Sequence, residues 1–136
     1  MKENITLFKA ERFALGIIEL FKYLNDEKKE FILSKQILRS GTSIGANVSE
    51  GECASSMKDL QNKLYIALKE CNETMYWLRL LHKSNYIDEN RFDELYEDCI
   101  ELRRILTKSV KTIGDKLTFN NLKCSIANEG SRSENN

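Results

Sequence analysis

The sequence contains no proline, one histidine and one tryptophan, and only six glycines in 136 residues. Proline and glycine are the usual residues of turns and strand ends, so their scarcity favours long helices joined by short connections. A single histidine excludes a di-iron helix bundle, because such a bundle needs two Glu-x-x-His motifs. It also leaves no second imidazole to activate a nucleophile. We therefore expect no enzymatic activity, no catalytic or metal-binding residue and no cofactor.

The chain has no net charge either, since 21 basic residues balance 21 acidic ones. Nucleic-acid-binding proteins usually show a basic excess, so composition alone does not predict such binding. The charges are unevenly placed, however, because acids dominate residues 88–101 and bases dominate residues 103–116. This arrangement complements a helix dipole, and a solvated helix face is one interpretation. The other is a strip that contacts the phosphates of RNA or DNA when several copies align it. Its candidate residues are Arg103, Arg104, Lys108 and Lys111.

Long apolar runs and closely spaced cysteine pairs are also missing. Cys53, Cys71, Cys99 and Cys124 lie far apart, so they lack the spacing of a zinc site. Cys71 and Cys99 fall on predicted core positions, where a free cysteine acts as a small hydrophobic residue. No segment has the length of a membrane span, and the first residues lack the apolar run of a signal peptide. We expect a cytoplasmic protein with free cysteines and no membrane association.

Apolar residues recur at intervals of three and four, which predicts four amphipathic helices. Short links between such helices make neighbours antiparallel, so the predicted fold is an all-α, antiparallel up-down-up-down four-helix bundle over residues 1–117. Beyond it, residues 118–136 are polar and lose this periodicity, and we predict a disordered tail. The predicted helices cover about residues 8–24, 28–51, 57–84 and 89–117, the last two with Ser56 and Asp88 as N-caps.

The second predicted helix has an unusual middle, because it contains Gly41 and Gly45. Each glycine costs roughly 1 kcal/mol relative to alanine inside a helix. A turn could split the helix here, but the apolar stripe keeps its phase across both glycines and favours one continuous helix. Close approach of a neighbouring backbone would offset the cost, and we assign both glycines to a contact between subunits.

The third predicted helix is apolar on two sides. Its inward stripe passes through Leu64, Cys71 and Leu78, and the outward side should be polar if the protein is a monomer. Tryptophan and tyrosine on an exposed face commonly mark an interaction site. The alternative is that a neighbouring helix or the tail covers this face. The predicted subunit contacts on this helix are Ile66, Glu73, Tyr76, Trp77 and Leu80.

Two segments resemble a known family. Residues 36–51, QILRSGTSIGANVSEG, are similar to the signature of the bacterial 23S rRNA intervening-sequence proteins, and residues 67–81, ALKECNETMYWLRLL, resemble the second block of that family. The resemblance extends over about residues 5–117 and is more specific for the two blocks together than for either alone. The residues that match the motifs are Arg39, Asn47, Glu50, Glu73, Trp77 and Arg79.

This resemblance implies an up-down-up-down bundle that assembles into a homo-oligomeric ring of five subunits, with no enzymatic activity attached to the fold. A related branch comprises the accessory variability proteins of diversity-generating retroelements, whose rings bind a reverse transcriptase and nucleic acid through strongly basic surfaces. The present chain differs from that branch in being neutral overall. The leading hypothesis is therefore a ring-forming interaction protein. The alternative is an accessory factor that binds RNA or DNA, with a protein partner such as a reverse transcriptase.

Overall fold

A computed structural model describes the backbone of residues 4–134 and the side chains of residues 4–130. In this range the chain forms four α-helices and no strand, which confirms the predicted all-α class and the number of helices. Both α1 and α3 contact the other two helices, α2 and α4. The helices are α1 (Ile5–Asp26), α2 (Leu33–Gly51), α3 (Met57–Lys83) and α4 (Glu89–Glu134).

One hydrophobic core joins all four helices, and the predicted inward stripes supply most of it. Burial of leucine and isoleucine side chains is the main source of stability in such a core, at about 2 kcal/mol for each side chain. Cys71 and Cys99 are buried and free, as predicted, while Cys53 and Cys124 are exposed and free. The largest completely buried aliphatic side chains are Ile17, Leu20, Leu24, Ile37, Ile44, Leu78, Leu81, Leu102 and Leu106.

The first connection is longer than predicted, because α2 begins at Leu33 rather than near Lys28. Lys29 has a φ of 55°, a left-handed conformation that cannot continue a helix. Glu30 then turns its carboxylate toward the start of α2 and accepts hydrogen bonds from backbone N–H groups there. The charged residues 27–30 therefore belong to the link, not to the first turn of the helix.

The other helix starts agree more closely with the sequence. Ser56 caps α3 by accepting a hydrogen bond from the Asp59 backbone N–H at 3.0 Å, as predicted. Asp59 in turn accepts from the Ser55 backbone N–H at 3.1 Å. Asp88 accepts from the Arg91 backbone N–H at 2.8 Å and caps α4. At α1, Asn4 accepts from a backbone N–H in the first turn, so this helix begins at Ile5, earlier than predicted.

The last helix continues well beyond the predicted end at residue 117. The sequence predicts a disordered tail, whereas the structure extends α4 as a helix through Glu134. No proline interrupts this segment, so nothing in its backbone forces the helix to stop. Side chains of residues 118–130 are all exposed. Residues 1–3, 135 and 136 lie outside the described part of the chain.

Candidate interaction surfaces

The two segments that carry the family resemblance meet between α2 and α3. Arg39 of α2 forms an ion pair with Glu73 of α3, and its second guanidinium nitrogen lies 3.4 Å from a Glu70 carboxylate oxygen. Further along, Lys63 pairs with Glu50 at 2.8 Å. Three of the motif residues therefore hold α2 and α3 together within one protomer. Exposed ion pairs of this kind contribute about 0.2–1 kcal/mol each, so their main effect is to fix orientation.

Glu70 has an altered acidity within this cluster. Partial burial raises the pKa of Glu70 above its ordinary value; the Arg39 guanidinium opposes this shift and the Glu73 carboxylate adds to it. Below the ion pairs, the buried Thr74 hydroxyl lies 2.9 Å from the Ser40 hydroxyl. Polar contacts thus continue from the surface into the α2–α3 contact.

The outer side of α3 carries an apolar surface, which we call the α3 face and define as Tyr65, Ile66, Tyr76 and Trp77. Tyr65, Ile66 and Tyr76 are 52%, 39% and 47% exposed. Trp77 is half-buried, and its ring lies 5.1 Å from that of Tyr76. Because no helix of the protomer covers the first three residues, the α3 face is accessible to another molecule. Its role as a subunit contact stays a prediction, and the same holds for Glu73 and for the half-buried Leu80.

The indole nitrogen of Trp77 is a buried donor without an acceptor among the described residues. Such a group costs about 1–3 kcal/mol when it is left unpaired, because it has lost its hydrogen bond to water. Trp77 therefore packs partly against the protomer core while its polar atom remains unsatisfied. Trp77, which was predicted to be a subunit contact, therefore lies at the edge of the α3 face and is only partly exposed.

Gly41 and Gly45 do not lie on an outer surface, which corrects their assignment to a subunit contact. Both are buried where α2 packs on α1. A Cβ atom at Gly41 would lie 2.8 Å from a side-chain carbon of Ile17, and one at Gly45 would lie 3.5 Å from the Cβ of Ala10. Another helix does approach both glycines closely, but that helix belongs to the same chain. The helix also runs through both glycines without a break, as predicted.

The four basic candidates on α4 divide between two sides of the helix. Arg104, Lys108 and Lys111 are exposed and follow the spacing of one helical face. Arg103 is half-buried on the adjoining side. No ion pair engages any of the four within the part of the chain that the structure describes. The three exposed bases are therefore available to an anion, whereas Arg103 is less so.

The sequence reading missed a second apolar surface, on the outer side of α1. We call it the α1 face and define it as Ile5, Phe8 and Leu15, which are 63%, 62% and 57% exposed. These positions stand apart from the core stripe of the same helix. The helical period of 100° per residue, which indicates a second apolar side on α3, also places these three positions on one side of α1.

A groove between α1 and α4 brings charged groups together without forming a recognisable catalytic or metal site. Lys9 pairs with Glu101 across it. Partial burial raises the pKa of Asp98, and the Glu101 and Glu94 carboxylates raise it further against the opposing charge of Arg12. In the described residues, no group of three or more histidine, cysteine, aspartate or glutamate side chains is placed to hold a metal ion.

Comparison with known proteins agrees with the four-helix fold. The profile of the 23S rRNA-intervening sequence protein family matches residues 2–108. The chain belongs to this family. A crystal structure of a protein of unknown function from the S23 ribosomal protein family of Bacteroides thetaiotaomicron is similar, with a TM-score of 0.78 and 48% sequence identity. The match covers 79% of this chain and 99% of that protein.

No curated protein matches the chain. Of the helices that the structure describes, none combines the length and apolar character needed to cross a membrane.

Proposed function

We propose that the protein is a non-enzymatic interaction protein that works as a homo-oligomeric ring of antiparallel up-down-up-down bundles. The contacts between helix ends support the antiparallel order. Asn4, before α1, donates to Glu52, just after α2, at 2.9 Å. Ser34, early in α2, donates to Asn25, near the end of α1, at 3.2 Å. Gln61, early in α3, donates to the Val110 carbonyl of α4 at 3.3 Å.

The observation that carries the ring proposal is the pair of unlike apolar faces on α1 and α3. Among the described residues these two helices each contact α2 and α4 and not each other, so the two faces lie on helices that are not neighbours. Two different surfaces that bind each other produce a head-to-tail contact, and repetition of that contact gives a ring if the rotation closes. An isologous dimer would need only one of the faces. The family resemblance favours closure at five subunits.

Substitutions on the two faces should each dissociate the ring. We expect Phe8→Glu with Leu15→Glu, and separately Ile66→Glu with Tyr76→Glu, to give monomers of 15.8 kDa by light scattering with unchanged helicity. The reason is that a charge at an apolar contact loses burial and remains without a partner. Thr107→Glu, at an exposed position on α4, is the matched control and should retain the ring mass.

Mixing the two monomeric variants distinguishes the head-to-tail contact from an isologous one. Each variant retains one intact face, and together they can form a single α1–α3 contact but no second one. We therefore expect a one-to-one complex of about twice the monomer mass. A wild-type protein that is monomeric at micromolar concentration, or face variants that keep the ring mass, would contradict the proposal.

For Trp77→Glu we expect the same dissociation as for the α3 face variant.

We infer as a second candidate function that the ring binds RNA or DNA. The exposed, unpaired face of Arg104, Lys108 and Lys111 favours it, because a ring would repeat these bases around its axis. A protein partner such as a reverse transcriptase is part of this second candidate.

The test is the salt dependence of binding to a structured RNA, measured by fluorescence anisotropy. Affinity should fall steeply as salt rises, since each phosphate contact releases counterions. Changing Arg104, Lys108 and Lys111 together to glutamine should flatten the slope of log affinity against log salt by about one unit for each lost contact. Lys35→Gln, an exposed base on α2, serves as the control. Absence of binding at low salt, or binding that ignores salt, would exclude this candidate.

A further inference from the structure

The end of α4 extends beyond the residues that the family profile matches. The family profile ends at residue 108, and the Bacteroides protein covers 79% of this chain with 99% of its own length. The helix nevertheless runs to Glu134. We call residues 118–134 the α4 extension. Its side chains are exposed from Thr118 through Gly130.

Three large apolar side chains form one stripe on the α4 extension. Phe119, Leu122 and Ile126 are 65%, 60% and 70% exposed. Their spacing of three and four is that of a coiled coil, with Phe119 and Ile126 at a positions and Leu122 at a d position. The spacing of the extension thus provides a short seam for another helix.

This stripe faces away from the core of its own protomer. Leu117 is the last residue of α4 that packs against the core. Two residues turn an α-helix by about 200°, so Phe119 lies on nearly the opposite side from Leu117. Because the helix is continuous from Leu117 to Phe119, the core stripe and this stripe lie on different sides of α4. In the protomer the three side chains stay exposed, with Phe119 beside Met57 at the start of α3, and they offer an apolar surface to a partner.

We propose that the α4 extensions of neighbouring copies of this chain pack against each other in parallel through Phe119, Leu122 and Ile126. The inference rests on the proposed ring, because rotation about a ring axis points all extensions in the same direction. A single solvent-exposed helix of this length is marginal in water, and mutual packing of the stripes would stabilise it.

The charges beside the stripe favour the parallel direction. Antiparallel packing centred on Leu122 brings the Lys123 residues of two copies side by side, and like charges at that distance repel. In a parallel pair, Lys123 at an e position faces the g position of the other helix, which is Thr118. This contact joins a base to a neutral hydroxyl. Parallel copies therefore avoid the repulsion.

The seam is too short to assemble the protein alone. Polar residues, Asp115 and Glu129, occupy the next d positions on either side, so only three apolar layers remain. Subunits already held in a ring have a high effective concentration for one another, and a weak contact then forms readily. The α4 extensions should thus stabilise a ring that the α1 and α3 faces build.

Cysteine cross-linking tests the proposal. Ile126→Cys is made in a chain with Cys53→Ser and Cys124→Ser, which removes both exposed thiols and leaves the buried ones. With a mild thiol oxidant, parallel extensions should form inter-chain disulfides at residue 126. In antiparallel pairs centred on Leu122, eight residues of helix, roughly 12 Å, would separate the two thiols and prevent the bond.

The natural Cys124 supplies the matched control, in a chain with Cys53→Ser alone. It lies two residues from Ile126 and on the opposite side of the helix. We expect cross-linking at residue 126 to be at least tenfold faster than at residue 124. Light scattering on the reduced proteins gives the subunit number independently.

The outcomes separate this inference from the ring proposal. Rapid cross-linking at residue 126 in a ring-sized species supports both. A ring-sized species with equal or slower cross-linking at residue 126 overturns the parallel packing and leaves the ring intact. Cross-linking at residue 126 in a protein of only two copies supports the packing and overturns the ring. Monomers without cross-links overturn both.

Discussion

Replacing Glu30 with alanine should lower the free energy of unfolding by about 2–4 kcal/mol, measured by urea denaturation followed by circular dichroism. The Glu30 carboxylate is 7% exposed. It accepts hydrogen bonds from the backbone N–H groups of Ile32, Leu33 and Ser34 at 2.6, 2.7 and 3.1 Å. These donors begin α2 and have no carbonyl partner within that helix. Alanine removes the acceptor of all three donors, and it leaves the buried Ser34 N–H without a partner and the other two only partly open to water.

Glutamine at position 30 is the control, because its amide keeps one acceptor oxygen but loses the charge. We expect Glu30→Gln to lose less stability than Glu30→Ala, since one or two of the backbone bonds survive. Ser34 is buried in the wild type, so its backbone N–H gains little from water after either change. Equal and small losses for the two variants, below about 0.5 kcal/mol, would contradict this role of Glu30.

The same residue shows why the sequence predicted the start of α2 incorrectly. An acid near a helix N-terminus is favourable whether it lies in the first turn or just before it. The choice depends on the backbone, and here Lys29, three residues after the end of α1, adopts a positive φ that keeps the link from joining α2. The side-chain caps Ser56 and Asp88 were predicted correctly because a short polar residue followed by a helical pattern carries a local signal. Glu30 acts from outside the usual cap position.

The surfaces show a similar division between what periodicity can and cannot predict. The outward position of Ile66 and Tyr76 follows from the helical period alone, and the structure confirms it. The burial of Gly41 and Gly45 within the protomer depends on which helix lies opposite, and no local pattern encodes that. The α4 extension was predicted to be disordered because it is polar and because the periodicity of the core stripe ends at Leu117. Because the apolar residues move to another side of the helix, the periodicity of the core stripe is lost although the helix continues.

The contacts of Gly41 lead to a prediction of opposite effects at two neighbouring glycines. Gly41→Ala should lower the free energy of unfolding by about 1–2 kcal/mol, because its Cβ would lie 2.8 and 2.9 Å from two γ carbons of Ile17. Those atoms stand next to the backbone of a completely buried, β-branched residue, so α1 must move. The gain of roughly 1 kcal/mol in helix propensity offsets only part of this loss.

Gly45→Ala is the matched change in the same helix. The nearest atoms to its Cβ would be those of Ala10 at 3.5 Å or more, which is an ordinary contact. The helix-propensity gain should then be retained, and stability should stay unchanged or rise by up to about 1 kcal/mol. Thermal and urea denaturation should therefore show that the free energies of unfolding of the two variants differ by about 2 kcal/mol. Equal effects on stability at the two positions would refute the special role of Gly41.

The mass of the ring can be measured on the same samples. Only Gly41→Ala should also weaken assembly, because a displaced α1 carries the α1 face with it.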